Sequence, residues 1–409
     1  MKYLFLTLLI CSYLNAETDL ELSKDNQAKV DFKFISYPEY LQSILFMQPE
    51  GIETKLTESE KLLVDALILL KKNKIDDAKQ VLEKSLTSEV EQVQNLSRDY
   101  LSLIYLMKDN YIANSELFQK QDMVEKLEKI DIMPTEIVNI QDDSLTVEIE
   151  NNLILVPLKI KGKQYRFLFD TGTDKSIIRK SLQNEFDFDT FDLGASIESS
   201  SAEIDVPIVS EIDTVKIGNN TILNNDFLVL EDENLNFSRG IFSSDLELDG
   251  IIGWDIIKEF SYLFDFEKEL IVLNPTNNYE KSENVFWLGA PFVRLQHKEG
   301  YEFNFFFDSG SYQSEITDML PQKLELNQID EIENESQGIG GKLEYTSKVY
   351  EEVSLVLNNT TLRFDEIETT ESNNFGYCYF DGVLGADFLM SGKIFFSINR
   401  GILKVIEVY

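Results

Sequence analysis

One stretch occurs twice in this chain. Tyr165-Arg166-Phe167-Leu168-Phe169-Asp170-Thr171-Gly172-Thr173 is matched by Phe303-Asn304-Phe305-Phe306-Phe307-Asp308-Ser309-Gly310-Ser311. Aromatic residues at a period of two mark a strand in each copy. Each strand runs into a carboxylate, a small hydroxyl residue, a glycine and a second hydroxyl. Such a chain must fold the same strand-and-turn element twice.

The repetition extends well beyond the motif. Val156, Leu158 and Ile160 lead through a Lys161-Gly162-Lys163 turn into the first copy, and Val293 and Leu295 lead through Lys298-Glu299-Gly300 into the second. Both are hairpin signatures. Asn219-Asn220-Thr221 is matched by Asn358-Asn359-Thr360, and Asp249-Gly250-Ile251-Ile252-Gly253-Trp254-Asp255 by Asp381-Gly382-Val383-Leu384-Gly385-Ala386-Asp387. Ser176 and Ile178 recur as Ser314 and Ile316 at the offset that separates the two aspartates. Closing hairpins are expected over residues 262–273 and 393–408. These ordered landmarks define a duplicated all-β unit, residues 145–278 and 279–409.

Upstream of the repeats the period is helical. Thr57 and Glu60 have capping-box spacing, followed by Leu63, Leu67 and Leu70 on one face. Further stripes follow at Ile75, Ala78, Leu82 and Leu86, at Val93, Leu96, Tyr100, Ile104 and Met107, and at Ala113, Leu117 and Val124. Residues 17–144 are therefore expected to be a small all-α domain ending near Met133-Pro134. Its helix pairs, with Ala78 and Ala113 in the same place, resemble tetratricopeptide repeats of about 34 residues; an ordinary four-helix cap is the alternative. Residues 1–16 read as a signal peptide, with Lys2 before an apolar run at 3–14 and Ala16 before Glu17. That run is too short to span a bilayer, and no later stretch is long enough. Export to the periplasm or outside the cell is the expectation, with lipoprotein anchoring through Cys11 as a lesser option.

Composition removes most competing chemistries. With 73 acidic and 37 basic residues the formal net charge is -36, which repels nucleic-acid backbones and anionic lipid. His297 is the single histidine, and Cys378 is the one cysteine outside the apolar N-terminal run. A Ser-His-Asp triad, a Cys-His pair and a histidine-rich zinc site would all have to rest on His297. Hydrolytic chemistry here must use carboxylates, without metal or cofactor.

A single Asp-Thr-Gly-Thr is most often a turn in which the aspartate bonds its own backbone. Two copies, each followed by an apolar-apolar-Gly segment at Gly250 to Gly253 and Gly382 to Gly385, resemble the aspartic peptidases, both pepsin-like and retropepsin-like. The resemblance covers roughly residues 150–409. It implies a mainly β, bilobal acid-protease fold of two retropepsin-like lobes on one chain, and an aspartic-type endopeptidase acting on peptide or protein substrates.

The physical logic agrees with that resemblance. Two carboxylates within about 3 Å cannot both ionise, so they share a proton and can activate one water. Asp170 and Asp308 would be the catalytic pair. Thr171 and Ser309 would cross-bond the loops, Thr173 and Ser311 would hold the outer carboxylate oxygens, and Gly172 and Gly310 would allow close approach. The hydroxyl donors favour ionised carboxylates and hence an acidic optimum. Gly338-Ile339-Gly340-Gly341 is the candidate flap; the matching first-unit stretch near Glu198-Ser199-Ser200-Ser201 lacks glycines, which speaks against a symmetric flap pair.

Two other readings compete. A catalytically silent peptide-binding protein would use the same cleft, whereas a glycoside hydrolase would need two acids about 5 Å or more apart. The helical region reads as a stabilising cap, a protein-binding arm or, against its acidic character, a propeptide.

Overall fold

The computed structural model describes residues 6–7, 39–49, 52, 55–128, 135–138, 140–199, 203–237, 246–276, 279, 281–339, 341–370, 375 and 377–409. Cys11 and most of the N-terminal run lie outside this set, as do Met133, Pro134, Ser200, Ser201 and Gly340.

Six helices precede the first repeat among the described residues: α1 (Glu39–Leu45), α2 (Glu58–Leu70), α3 (Ile75–Ser85), α4 (Glu91–Met107), α5 (Tyr111–Leu117) and α6 (Gln121–Leu127). The expected capping box opens α2, with the Glu60 N–H donating to Thr57 and the Thr57 N–H to Glu60. Leu63, Leu67 and Leu70 are its buried face. The expected fourth helix is two: after α5 the chain turns through Gln119, whose φ of 58° leaves helical space, and restarts as α6.

Strands begin earlier than residue 145. Glu136–Val138 pairs with Thr221 to Leu223, and Asp143–Thr146 pairs with Leu270–Leu273. The end of the stretch assigned to the helical domain is thus part of the β structure, because its short alternating segments complete open sheet edges.

The two repeats have the same strand order. In the first, Leu153–Ile160, Lys163–Phe169, Gly250–Ile252, Ile177–Arg179, Asn220–Leu230 and Glu203–Ile217 follow one another around a six-stranded barrel, closed by the Leu158↔Ile217 pairing. In the second, Pro291–Gln296, Glu302–Phe307, Gly382–Leu384, Glu315–Ile316, Thr360–Thr369 and Gly341–Leu357 form a ring closed at Gln296↔Val356. Each motif strand is central and lies parallel to its glycine-flanked partner, Phe167 opposite Gly250 and Phe305 opposite Gly382. Buried on both faces, these strands carry apolar residues at successive positions. Phe167, Leu168, Phe169, Phe305, Phe306 and Phe307 are all buried.

A third sheet of five strands joins the repeats. Tyr262–Asp265 of the first pairs with Gly392–Ser397 of the second, Tyr262 opposite Phe396. Their rings stack at 6.3 Å, and each also meets a motif strand, Tyr262 with Phe169 at 5.2 Å and Phe396 with Phe307 at 5.1 Å. This aromatic layer sits directly behind both motifs.

The helical region is not an independent unit. One apolar cluster runs from Leu63, Leu67 and Tyr100 through Phe286 and Phe306 to Tyr262 and Phe396. Polar contacts fix the orientation. Asn73, in a left-handed turn with φ of 55°, donates to the Val285 carbonyl at 2.8 Å and accepts from the Trp287 N–H at 3.1 Å. Lys71, 1% exposed, donates to the Met47 carbonyl and lies 3.6 Å from Glu302.

At the sheet joining the repeats, Asp265 accepts from Lys268 at 2.8 Å and from the Tyr409 hydroxyl at 2.8 Å, and pairs with Lys393 at 3.1 Å. Although burial works against its charge, these partners lower its pKa to about 2. A folded-state pKa below the unfolded value of about 3.9 stabilises the protein above that value and loses this effect as pH falls toward 2. Asp265→Asn should therefore lower the melting temperature at pH 7, with the deficit shrinking between pH 4 and pH 2. A deficit independent of pH would contradict the assigned ion cluster.

Candidate active site

Each motif strand stops where its last backbone bond is made, the Asp170 N–H to the Ile252 carbonyl and the Asp308 N–H to Leu384. The next three residues turn back under the opposite loop. The Thr171 N–H donates to Ser309 Oγ at 3.0 Å and the Ser309 N–H to Thr171 Oγ1 at 2.9 Å. Thr171 Oγ1 in turn donates to the Phe307 carbonyl at 2.7 Å, and Ser309 Oγ to the Phe169 carbonyl at 2.9 Å. Four reciprocal bonds between copies thus set the separation of the loops, and all are buried.

Glycine is required at both turns for space. A Cβ on Gly172 would lie 2.5 Å from Asp308 Oδ1, and one on Gly310 would lie 2.5 Å from the Asp170 carboxyl carbon. Each glycine is therefore the seat of the opposite aspartate.

Asp170 and Asp308 are 0% exposed, and each carboxyl group lies against the glycine of the opposite loop. Asp170 Oδ1 accepts from the Gly172 N–H at 2.8 Å and Oδ2 from the Thr173 hydroxyl at 2.7 Å. Asp308 Oδ1 accepts from the N–H groups of Gly310 and Ser311, at 2.9 and 3.2 Å. Asp308 Oδ2 is buried without a donor among the described residues. A proton on Asp308, directed at Asp170, satisfies both carboxyl groups. The expected equivalence of Thr173 and Ser311 is corrected here, because the Ser311 hydroxyl donates to the Gln313 carbonyl at 2.9 Å. The site is consequently asymmetric, with more side-chain donors on Asp170.

Burial dominates the titration. It raises Asp170 to about 6 against the donors Thr173 and Gly172, and it raises Asp308 further, assisted by the Asp170 charge. The hydroxyl donors expected to keep the pair ionised at acid pH are outweighed by desolvation. Among the described residues there is no cluster of three or more metal-ligating side chains.

The sequence landmarks with no assigned role prove to be braces. Ser176 Oγ donates to Asp255 at 2.7 Å and accepts from the Gly253 N–H, while Ser314 Oγ donates to Asp387 at 2.7 Å and accepts from the Gly385 N–H. The next N–H in each copy, of Trp254 and Ala386, donates to the carbonyl of Thr173 and Ser311. The shared serine offset was the signal for this brace; the aspartate partners became visible only in three dimensions.

Gln328–Gly338 and Gly341–Leu357 form a hairpin in which Gly338 pairs with Gly341. Ile339 in its turn is fully buried, in one apolar cluster with Leu153, Leu168, Ile177 and Ile251 of the first repeat. Gly340 is outside the described residues. The first repeat also carries a long hairpin, Thr190–Ser199 against Glu203–Ile217. The tip of that hairpin, with Ser200 and Ser201, lies outside the described residues.

Residues 156–256 match the family described as aspartyl protease, which makes that stretch an aspartyl protease domain. Asp170 lies within it and Asp308 beyond it. A solved retropepsin-like aspartic protease from Rickettsia conorii aligns with 34% of this chain and 91% of its own, at 16% identity and a TM-score of 0.22. No curated protein matches.

Two outcomes follow for stability. Gly172→Ala or Gly310→Ala should cost about 1–3 kcal/mol in denaturant unfolding, the usual effect of overpacking a closed site. A group whose folded pKa is raised stabilises the protein below its unfolded pKa and loses that effect as pH rises. Asp308→Asn should therefore melt progressively higher than the unsubstituted protein as pH is raised from 4 to 8, and a constant difference would contradict the shared proton.

Proposed function

We propose that this protein is an aspartic-type endopeptidase of bilobal acid-protease architecture, hydrolysing peptide bonds with a water activated between Asp170 and Asp308. One observation carries the reading: two aspartates from duplicated turns meet in a dry site, held by reciprocal bonds between their loops. Asp170 has donors on both oxygens, the Gly172 N–H and the Thr173 hydroxyl, that stabilise its charge, so it is the base. Asp308 holds the proton.

The chemistry then balances. Asp170 takes a proton from water as the water oxygen bonds to the peptide carbonyl carbon, and Asp308 gives its proton to the carbonyl oxygen. Collapse of the tetrahedral intermediate breaks the C–N bond, with the proton on Asp170 passing to the leaving amine and one hydroxyl proton returning to Asp308. Because both carboxyl groups are fully buried and Ile339 is packed against the first repeat, substrate entry in this reading requires the hairpin turn to lift. Water exclusion on closure strengthens the charge interactions inside.

The apolar N-terminal run supports export from the cytoplasm. The helical region is a protein-binding surface in the tetratricopeptide-like reading, and its continuous apolar packing against both repeats supports the role of a stabilising cap.

Asp170→Asn and Asp308→Asn should each reduce cleavage of a denatured protein substrate by roughly 1,000-fold or more while leaving the circular dichroism unchanged. Since the active form has lost one proton, kcat/KM should rise through about pH 6, where Asp170 titrates, and hold to neutrality. Full retention of cleavage in either variant would exclude the dyad. Binding of peptides without cleavage at any pH would favour the silent binding protein.

A further inference from the structure

The turn between α4 and α5 reaches the first active loop. Asp109 Oδ1 lies 2.5 Å from Lys175 Nζ, and both side chains are largely buried, at 13% and 7% exposure. The Lys175 ammonium also sits 5.4 Å from the centre of the Tyr111 ring. Burial opposes both charges, yet Asp109 is held below its ordinary pKa by Lys175 and Lys258, and Lys175 well above its own by Tyr111, Asp109, Asp255 and Asp226. Nearby, Lys258 Nζ donates to the Met107 carbonyl at the end of α4. The helical region is thus ionically bonded to a loop five positions beyond Asp170.

Lys175 is connected to the dyad through rigid backbone. A Cβ on Gly253 would lie 2.6 Å from the Lys175 carbonyl carbon and 2.8 Å from the Thr173 oxygen, so these segments are in closest packing. The N–H of Trp254, next to Gly253, donates to the Thr173 carbonyl, and the Thr173 hydroxyl donates to Asp170 Oδ2. The second repeat lacks this connection. Gln313 holds the position equivalent to Lys175, and its amide donates to Glu315 at 3.4 Å, within its own repeat. The carboxylate fixed by a side-chain hydroxyl is therefore the one whose loop is anchored to the helical region.

We propose that Lys175 and Asp109 are positioning residues for catalysis, through which the helical region holds the Thr173 hydroxyl on the outer oxygen of Asp170. The inference rests on the endopeptidase reading. It makes the helical region part of the catalytic apparatus, beyond a stabilising cap. Tyr111 adds an apolar link, because it lies in the same buried cluster as Ile339 of the flap hairpin. Breaking an ion pair by removing one member leaves the other buried and uncompensated, so the loop must shift to hydrate it.

The test uses the full chain with Lys175→Met, Asp109→Asn and the double variant, and Asp308→Asn as the inactive reference. A statine-type inhibitor titrates active sites, so kcat is expressed per competent site, and thermal unfolding is followed in parallel. The expected result is a kcat lowered roughly 10- to 100-fold in each single variant, the scale of loss from a small displacement of a catalytic group. KM should stay within about twofold, and the double variant should be no worse than the singles, as for two residues acting through one contact.

A purely structural pair would lower the melting temperature and the titrated fraction but leave kcat per site unchanged, which would overturn the inference. Additive losses in the double variant would also overturn it. Should Lys175→Met fail to fold, Asp109→Asn, nearly isosteric, gives the same decision from its own kcat per site. Cleavage by the unsubstituted protein that persisted in Asp308→Asn would instead overturn the endopeptidase reading, and this inference with it.

Discussion

Two buried carboxylates repel unless one proton serves both, and holding Asp170 and Asp308 in that relation is the constraint around which the molecule is arranged. Each must be brought close enough to share the proton, and neither can be allowed to retreat into water, where ionisation of both would be favoured. The loops are therefore tied to each other before they are tied to anything else. Thr171 and Ser309 exchange four hydrogen bonds, and Gly172 and Gly310 leave room for the opposing aspartate. Behind them, stacked Tyr262 and Phe396 unite the repeats in a common sheet, so neither half can drift without disrupting a packed core.

Within this near-symmetric frame, the proposed peptidase chemistry requires asymmetry. In that reading a proton donor and a base must differ although they arise from the same motif. The difference lies in second-sphere contacts: Thr173 turns its hydroxyl to Asp170, whereas Ser311 gives its own to the Gln313 carbonyl. One methyl group distinguishes these residues by type, but the surroundings decide their hydrogen bonds. The first loop is packed beneath Gly253 and joined to Asp109 of the helical region, while the second is braced by Ser314 and Asp387 and by bonds to the first repeat. A chain with both lobes in one polypeptide can carry this inequality; two identical subunits would have to acquire it on assembly.

The repeated unit was legible in the sequence because its constraints are local. A strand of alternating aromatics ending in Asp-Thr/Ser-Gly is a contiguous pattern, and so are the apolar-apolar-Gly braces and the Thr57-Glu60 cap. Other features could not be read this way. The strands at Glu136–Val138 and Asp143–Thr146 are too short to announce themselves and form because edges at Thr221 and Leu270 await partners. The long hairpin of the first repeat has no glycine signal between its strands and shows itself only in the pairing of Thr190–Ser199 with Glu203–Ile217.

What the sequence by itself determined is the duplication, the identity of the two aspartates and the exclusion of histidine- and cysteine-based chemistry. Residue type, order and count suffice for each. Only the tertiary structure decided that both carboxyl groups are buried, where Ser311 directs its hydroxyl, and that Asp109 of the helical region is bonded to Lys175 beside the first loop. Those outcomes depend on desolvation and on contacts between segments distant in the chain, and burial, which raises the pair against its hydroxyl and backbone donors, exists only once the chain has closed around it.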